Sequence, residues 1–148
     1  MESSRLKSWS LLFLRAGTGL LLVLWGTLRV VSPEAGPGLA DKYYSGLLDM
    51  QALQIAYGVA EILIGGLVTL GLFRRAAYPL QALILVPAAL MLWRYLVDPM
   101  GAWLLSREDS QILFFPSIAL AAASVTLIAF RDFDRLSLDS YLAGRRGR

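Results

Sequence analysis

Apolar residues run almost unbroken through four stretches, Leu11 to Val31, Ala52 to Phe73, Ala76 to Val97 and Ile112 to Phe130, each near the roughly 20 residues that cross a bilayer core. Their polar interruptions fall at helical spacing. In the second stretch Gln54, Gly58, Glu61, Gly65 and Thr69 follow one another in steps of three and four, which places all five on one helical face. The first stretch repeats the arrangement with Arg15, Gly19, Leu22, Gly26 and Arg29. Small residues on such stripes let helix backbones approach closely, so the two stripes are expected to face each other or a shared interior. The fourth stretch offers Ser117, Ala121 and Ser124, and the third Ile84, Pro87, Met91, Arg94 and Asp98. The link Arg74-Arg75 is too short to join anything but antiparallel neighbours. The predicted fold is therefore all-α: one membrane domain over residues 1–148, built as an integral membrane antiparallel four-helix bundle.

Between the spans, "LADKYYSGLLDMQ" puts Leu39, Tyr43, Leu47 and Met50 on one helical face, as in a segment lying in the outer interface over residues 32–51. Gly36, Gly38 and Gly46 fit an irregular loop as well as that helix. Trp25, Trp93, Tyr95 and Trp103 gather towards the same side, as an interfacial aromatic belt does. Pro87 is expected to kink the third span, while Pro116 sits in the opening turns of the fourth, where the missing N–H costs little. Ser106 and Asp109 read as a capping box ahead of the fourth span.

Composition sharpens this picture. Hydrophobic residues make up 57% of the 148 and charged ones only 17%, with mean hydropathy +0.59, so lipid rather than water is the expected main solvent. The first span is too long for a signal-peptide core and contains Arg15, so it is expected to stay as a helix. There is no cysteine and no histidine, which excludes thiol redox chemistry, imidazole acid–base work and histidine-ligated haem or copper within this polypeptide. The acids are scattered, and no metal site is expected. Arg5, Lys7, Arg74, Arg75, Arg131, Arg135, Arg145, Arg146 and Arg148 all fall where one side of the membrane should be, against Lys42 and Arg107 on the other. By the positive-inside rule both termini face the cytoplasm of a bacterial-type inner (plasma) membrane, with 131–148 as a basic tail. That tail is a topology signal that touches anionic lipid; no nucleic-acid partner is expected.

One carboxylate decides where to look for chemistry. Glu61 is nine residues beyond Ala52, about 14 Å into the membrane at roughly 1.5 Å per residue. An isolated charge there costs about 3 kcal/mol on insertion scales. Helical side chains lean towards their own amino terminus, so Glu61 leans outward while Arg29 and Arg94, on spans running the other way, lean inward to meet it. Arg15 leans towards the cytoplasm and is expected to snorkel there. The predicted ligand-binding set is Glu61, Arg29, Arg94, Gln54 and Asp98, in the outer half. Two arginines against one deep carboxylate leave spare donors for acceptor oxygens: a quinone carbonyl, a lipid headgroup or an oxyanion. A Glu–Arg pair that only sets helix register is the plain structural alternative.

The segments "GVAEILIGGLVTLGLFRRAAYPLQALILVPAA" and "FLRAGTGLLLVLWGTLRV" resemble the DoxX-like family of small four-span membrane proteins. The resemblance rests on Arg15, Gly26 and Arg29 in the first span, and on Gly58, Glu61, Gly65, Gly66, Gly71, Arg74 and Arg75 in and after the second. Arginine stands at position 29 where lysine is usual in that family, which keeps the charge and changes the donor geometry. The resemblance implies a membrane subunit of a redox assembly that holds a bound quinone or lipid and no intrinsic cofactor. Such a subunit belongs to a quinone-linked oxidoreductase and is not a catalyst alone. The alternative is a non-enzymatic scaffold or assembly factor whose seams pack against other membrane-protein partners or against further copies of the chain.

Overall fold

The computed structural model describes residues 2–32 and 51–146; the segment expected in the outer interface lies almost wholly outside them. The described residues form helices and no strands. In chain order the helices are α1 (Glu2–Val31), α2 (Gln51–Leu70), α3 (Arg74–Met91), α4 (Trp93–Val97), α5 (Ser117–Ala129) and α6 (Leu138–Arg146), with single 3-10 turns at Ile112–Phe114 and Arg131–Phe133. Ser4–Val31, Ala52–Leu70 and Ile112–Ala129 are long and apolar enough to cross a membrane.

The third predicted span is divided. Leu92 leaves the helix at φ −86°, ψ 14°, and its N–H is shared between the carbonyls of Ala88 and Ala89, the tightening that ends an α-helix. α3 itself opens on two arginines and contains Pro79, Gln81 and Pro87. The fourth predicted span also starts unevenly. Its first residues make the 3-10 turn and the α-helix begins only after Pro116, a residue without an N–H to give.

Burial is inverted relative to a protein in water. Among the described residues, as many polar or charged side chains are buried as apolar ones, Arg15, Gln54, Glu61, Gln81 and Asp134 among them, while Phe13, Leu63, Leu83, Leu90 and Leu113 are exposed. An exterior of this kind suits an apolar solvent.

The most extensive helix–helix contact joins α1 to α2, and glycine makes it. A Cβ on Gly19 would strike the Gly65 carbonyl and Thr69, and one on Gly65 would strike the Gly19 carbonyl and Leu22. Two turns away Gly26 and Gly58 stand in the same relation. Numbers rising on one helix meet numbers falling on the other, so α1 and α2 are antiparallel. Backbones this close gain dispersion and Cα–H···O contacts that larger residues would forbid. α3 packs chiefly on α5, and weaker contacts of α2 with α3 and of α1 with α5 join the two pairs. Leu11, Val68, Ala77, Tyr78 and Leu127, one or two from each of α1, α2, α3 and α5, form the common apolar core.

The seam separates its glycines from the idle ones. Gly17 and Gly66 have nothing within 4 Å of an added Cβ, and there alanine gains up to about 1 kcal/mol of helix propensity. Gly65→Ala is expected to lower the unfolding midpoint in detergent, by about 1–3 kcal/mol of overpacking, whereas Gly17→Ala holds or raises it. Denaturant titration followed by circular dichroism checks the contrast.

Candidate functional site: a buried arginine fork and an inner clasp

Gln54, Gly58 and Glu61 lie one turn apart on the buried face of α2. Because Gly58 has no side chain, the Arg29 stem passes over it: a Cβ on Gly58 would stand 2.9 Å from the Arg29 Cβ. The guanidinium then reaches back towards its own amino terminus, as helix geometry favours, and divides its donors. Nε donates to Glu61 Oε2 at 2.9 Å and Nη1 donates to Gln54 Oε1 at 2.7 Å, while the Tyr57 ring lies 5.0 Å from Cζ, within cation–π range. Glu61 is 1% exposed but the Arg29 side chain is 23% exposed, and its Nη2 makes no hydrogen bond among the described residues. The carboxylate is thus closed in, and the cation that neutralises it keeps one free edge.

Two members of the predicted set stand elsewhere. Arg94 is exposed and lies 5.7 Å from the ring of its neighbour Trp93, with no bond to Glu61. The break at Leu92 explains this, since residues beyond it lose the helical phase that would have carried residue 94 inward. The face of α3 that is buried carries Ala77, Tyr78, Gln81, Ala82, Leu85 and Ala89, not the stripe of Ile84, Pro87 and Met91. Asp98 is buried, but it organises the loop that follows α4. Oδ1 accepts the N–H of Ala102, and Oδ2 those of Trp103, Leu104 and Leu105, at 2.7–3.1 Å. The N–H groups of Ala102 and Trp103 above all hold its carboxyl far below the usual carboxylate range, with those of Leu104 and Leu105 adding to them against the opposing effect of burial. Ser106 and Asp109 do exchange hydrogen bonds, Oγ to Oδ2 at 2.7 Å and N–H to Oγ at 3.2 Å, but they cap a turn and not a helix.

A second charged cluster, at the opposite end, escaped the pattern of apolar spans. Arg15 does not snorkel: it is 2% exposed, with Nη2 donating to the Leu136 carbonyl at 2.8 Å and Nη1 lying 3.5 Å from Asp134 Oδ2. The same oxygen accepts the Tyr78 hydroxyl at 2.5 Å and faces Arg74 Nη1 at 3.8 Å. Arg74 also donates to the carbonyls of Arg131 and Asp134 and to Ser140. Asp139, in the first turn of α6, accepts the N–H groups of Phe73 and Arg74 at 3.0 and 2.9 Å, capping α3 from another helix. The α2–α3 corner that it closes needs left-handed backbone at Gly71 (φ 68°) and at Phe73 (φ 49°), and Gly71 also leaves the room that Arg15 fills. Residues 131–146 are therefore a clasp over this end and not a free tail. The signal in the sequence was the charged run "RDFDR" at 131–135, placed just after a span that must end beside Arg74.

Among the described residues no three acidic side chains gather as a metal site. Comparison with known protein families, characterised proteins and solved structures finds no match for this chain. The chemistry of the two clusters must speak for itself.

The clasp is expected to carry stability. Asp134→Asn leaves Arg15 without a counter-charge and Arg74 with Asp139 alone, a loss of about 3–5 kcal/mol for a broken buried pair, while Arg94→Ala costs within about 0.5 kcal/mol as an exposed change; unfolding in mixed micelles measures both. Asp98 adds a pH dependence. A carboxyl with a lowered folded pKa stabilises above its unfolded value of about 3.9 and loses that contribution as pH falls below it. Asp98→Asn is expected to flatten the unfolding midpoint below about pH 4, read as the difference from the parent chain between neutral and acid pH.

Proposed function

We propose that the chain is a four-span inner-membrane bundle of the DoxX-like type, with α3 and α4 together making the third crossing and both termini cytoplasmic. Support for the orientation is the collection at one end of Lys7, Arg74, Arg75, Arg131 and Arg135, where Lys7 lies over the Phe133 ring and Arg74 bonds the Arg131 carbonyl, the asymmetry that the positive-inside rule describes. Its function is to hold a lipophile with acceptor oxygens, a quinone or a lipid, in the outer half and to serve as the membrane subunit of a redox assembly.

The observation that carries this reading is the partial closure of the Arg29 fork. A pair that only set helix register would bury both partners; here Glu61 is buried and the guanidinium edge is open. Glu61 and Gln54 fix the plane of that cation, and the remaining N–H donors point at whatever ligand shares the site. A carbonyl oxygen bound there gains a charge-assisted hydrogen bond in a low-dielectric setting, where such bonds are strongest. The role of Arg29 is to donate, that of Glu61 to hold Arg29 and exchange a proton, that of Gln54 to orient. Arg94 and Asp98 have no part in it. The scaffold reading loses support because the glycine seams are consumed within the chain, between α1 and α2.

Purified parent protein is expected to carry extractable quinone or lipid at near one equivalent. Arg29→Ala and Glu61→Gln should each lower that content about ten-fold or more, the worth of one charge-assisted hydrogen bond, with Arg94→Ala as the unaffected control. Mass spectrometry of solvent extracts is the measurement, and equal content in all four proteins rejects the reading.

A further inference from the structure

We propose a second, separate ligand site at the clasp end: a recess that binds the phosphate of an anionic phospholipid. Ser4, Lys7, Phe133 and Arg135 line a recess of about 120 Å³, room enough for a phosphate group. The Ser8 hydroxyl lies 3.4 Å from the Phe133 carbonyl and the Lys7 ammonium lies 5.8 Å from the Phe133 ring centroid, which pins α1 to the 3-10 turn after α5.

Charge selects the ligand. Neither the Lys7 nor the Arg135 side chain makes an ion pair or hydrogen bond among the described residues. Among the acids at this end whose side chains are described, Asp132 lies 3.6 Å from Arg131, and Asp134 and Asp139 pair with Arg15 and Arg74. The recess is left with two cations outside any described ion pair and the Ser4 hydroxyl, a donor set for phosphate oxygens.

Position selects the source. Lys7 precedes Val31 by 24 residues along a continuous helix, roughly 36 Å at 1.5 Å per residue. The hydrocarbon core is about 30 Å thick, so the recess opens in the headgroup layer. On the core side, at the end of α5, Phe130 is exposed with its ring centroid 6.1 Å from that of Phe133, itself exposed. Acyl chains lying on those rings would bring the headgroup phosphate to Lys7 and Arg135. A soluble phosphate ester gains nothing from the rings.

The test uses the full chain in nanodiscs containing equal amounts of phosphatidylglycerol and phosphatidylcholine, released for native mass spectrometry. The parent is expected to retain phosphatidylglycerol over phosphatidylcholine by about ten-fold or more, each cation near a membrane surface contributing roughly five-fold. Lys7→Gln with Arg135→Gln brings the ratio to about one, and so does Ser4→Asp, which leaves both cations in place and sets a carboxylate in the recess. Arg107→Gln, in the loop before α5, keeps the parent ratio, and the recess variants leave the extractable quinone content that Arg29→Ala lowers unchanged, which separates this site from the Arg29 fork. No preference in the parent, an unchanged ratio in both recess variants, or equal loss in Arg107→Gln overturns the proposal. Displacement of the lipid by glycerol phosphate at matching concentration overturns the lipid assignment in favour of a soluble ester.

Discussion

Close approach of α1 and α2 is the constraint from which the rest follows. Four glycines, 19 and 26 on one helix, 58 and 65 on the other, let the backbones touch over two turns, and no other spacing would lay Arg29 across Gly58 with both Gln54 and Glu61 in reach. In lipid, apolar side chains gain little from leaving one apolar surface for another. Shape and buried polar bonds must therefore hold such a pair together, and here one seam supplies both. The Arg29 fork closes it near one end, and Arg15 anchors it near the other.

The two charged clusters divide the work by their degree of closure. At the clasp, Asp134 takes the Tyr78 hydroxyl and faces two guanidinium groups at 3.5 and 3.8 Å with no exposure of its own. It gathers α1, α3 and the chain after α5, and α6 returns to cap α3 through Asp139. Asp134 Oδ1 and the Arg15 Nε are buried there without a hydrogen-bond partner among the described residues. At the fork the carboxylate is equally buried, but its cation is not. Geometry of this kind gives a hydrogen-bond donor whose orientation is already set, which under the proposed function limits the entropy lost on binding.

Much of this was legible in the chain. The stripes of steps three and four on the first two spans named the seam glycines and also Arg29, Gln54 and Glu61, because helix periodicity and side-chain lean are local properties that tertiary context did not alter. Arg94 shows where locality ended. Its placement assumed one continuous helix from 76 to 97, and the turn at Leu92 changed the phase of everything beyond. Asp98 was read as the next position on the same helical stripe, and its engagement with four following N–H groups depends on a loop path that apolar periodicity does not encode.

The sequence by itself determined an all-helical chain, its first two apolar helices, the small-residue seam and the deep acid with a basic partner, since each depends on spacing along one or two helices. Only the tertiary structure decided that Arg94 stands apart, that Arg15 is buried, and that residues 131–146 fold back over the bundle. The last two outcomes require a third element to arrive at the same place: Asp134 and Asp139 are far along the chain from Arg15 and the Gly71 corner, and their pairing is chosen by packing and by the cost of leaving a guanidinium without a partner.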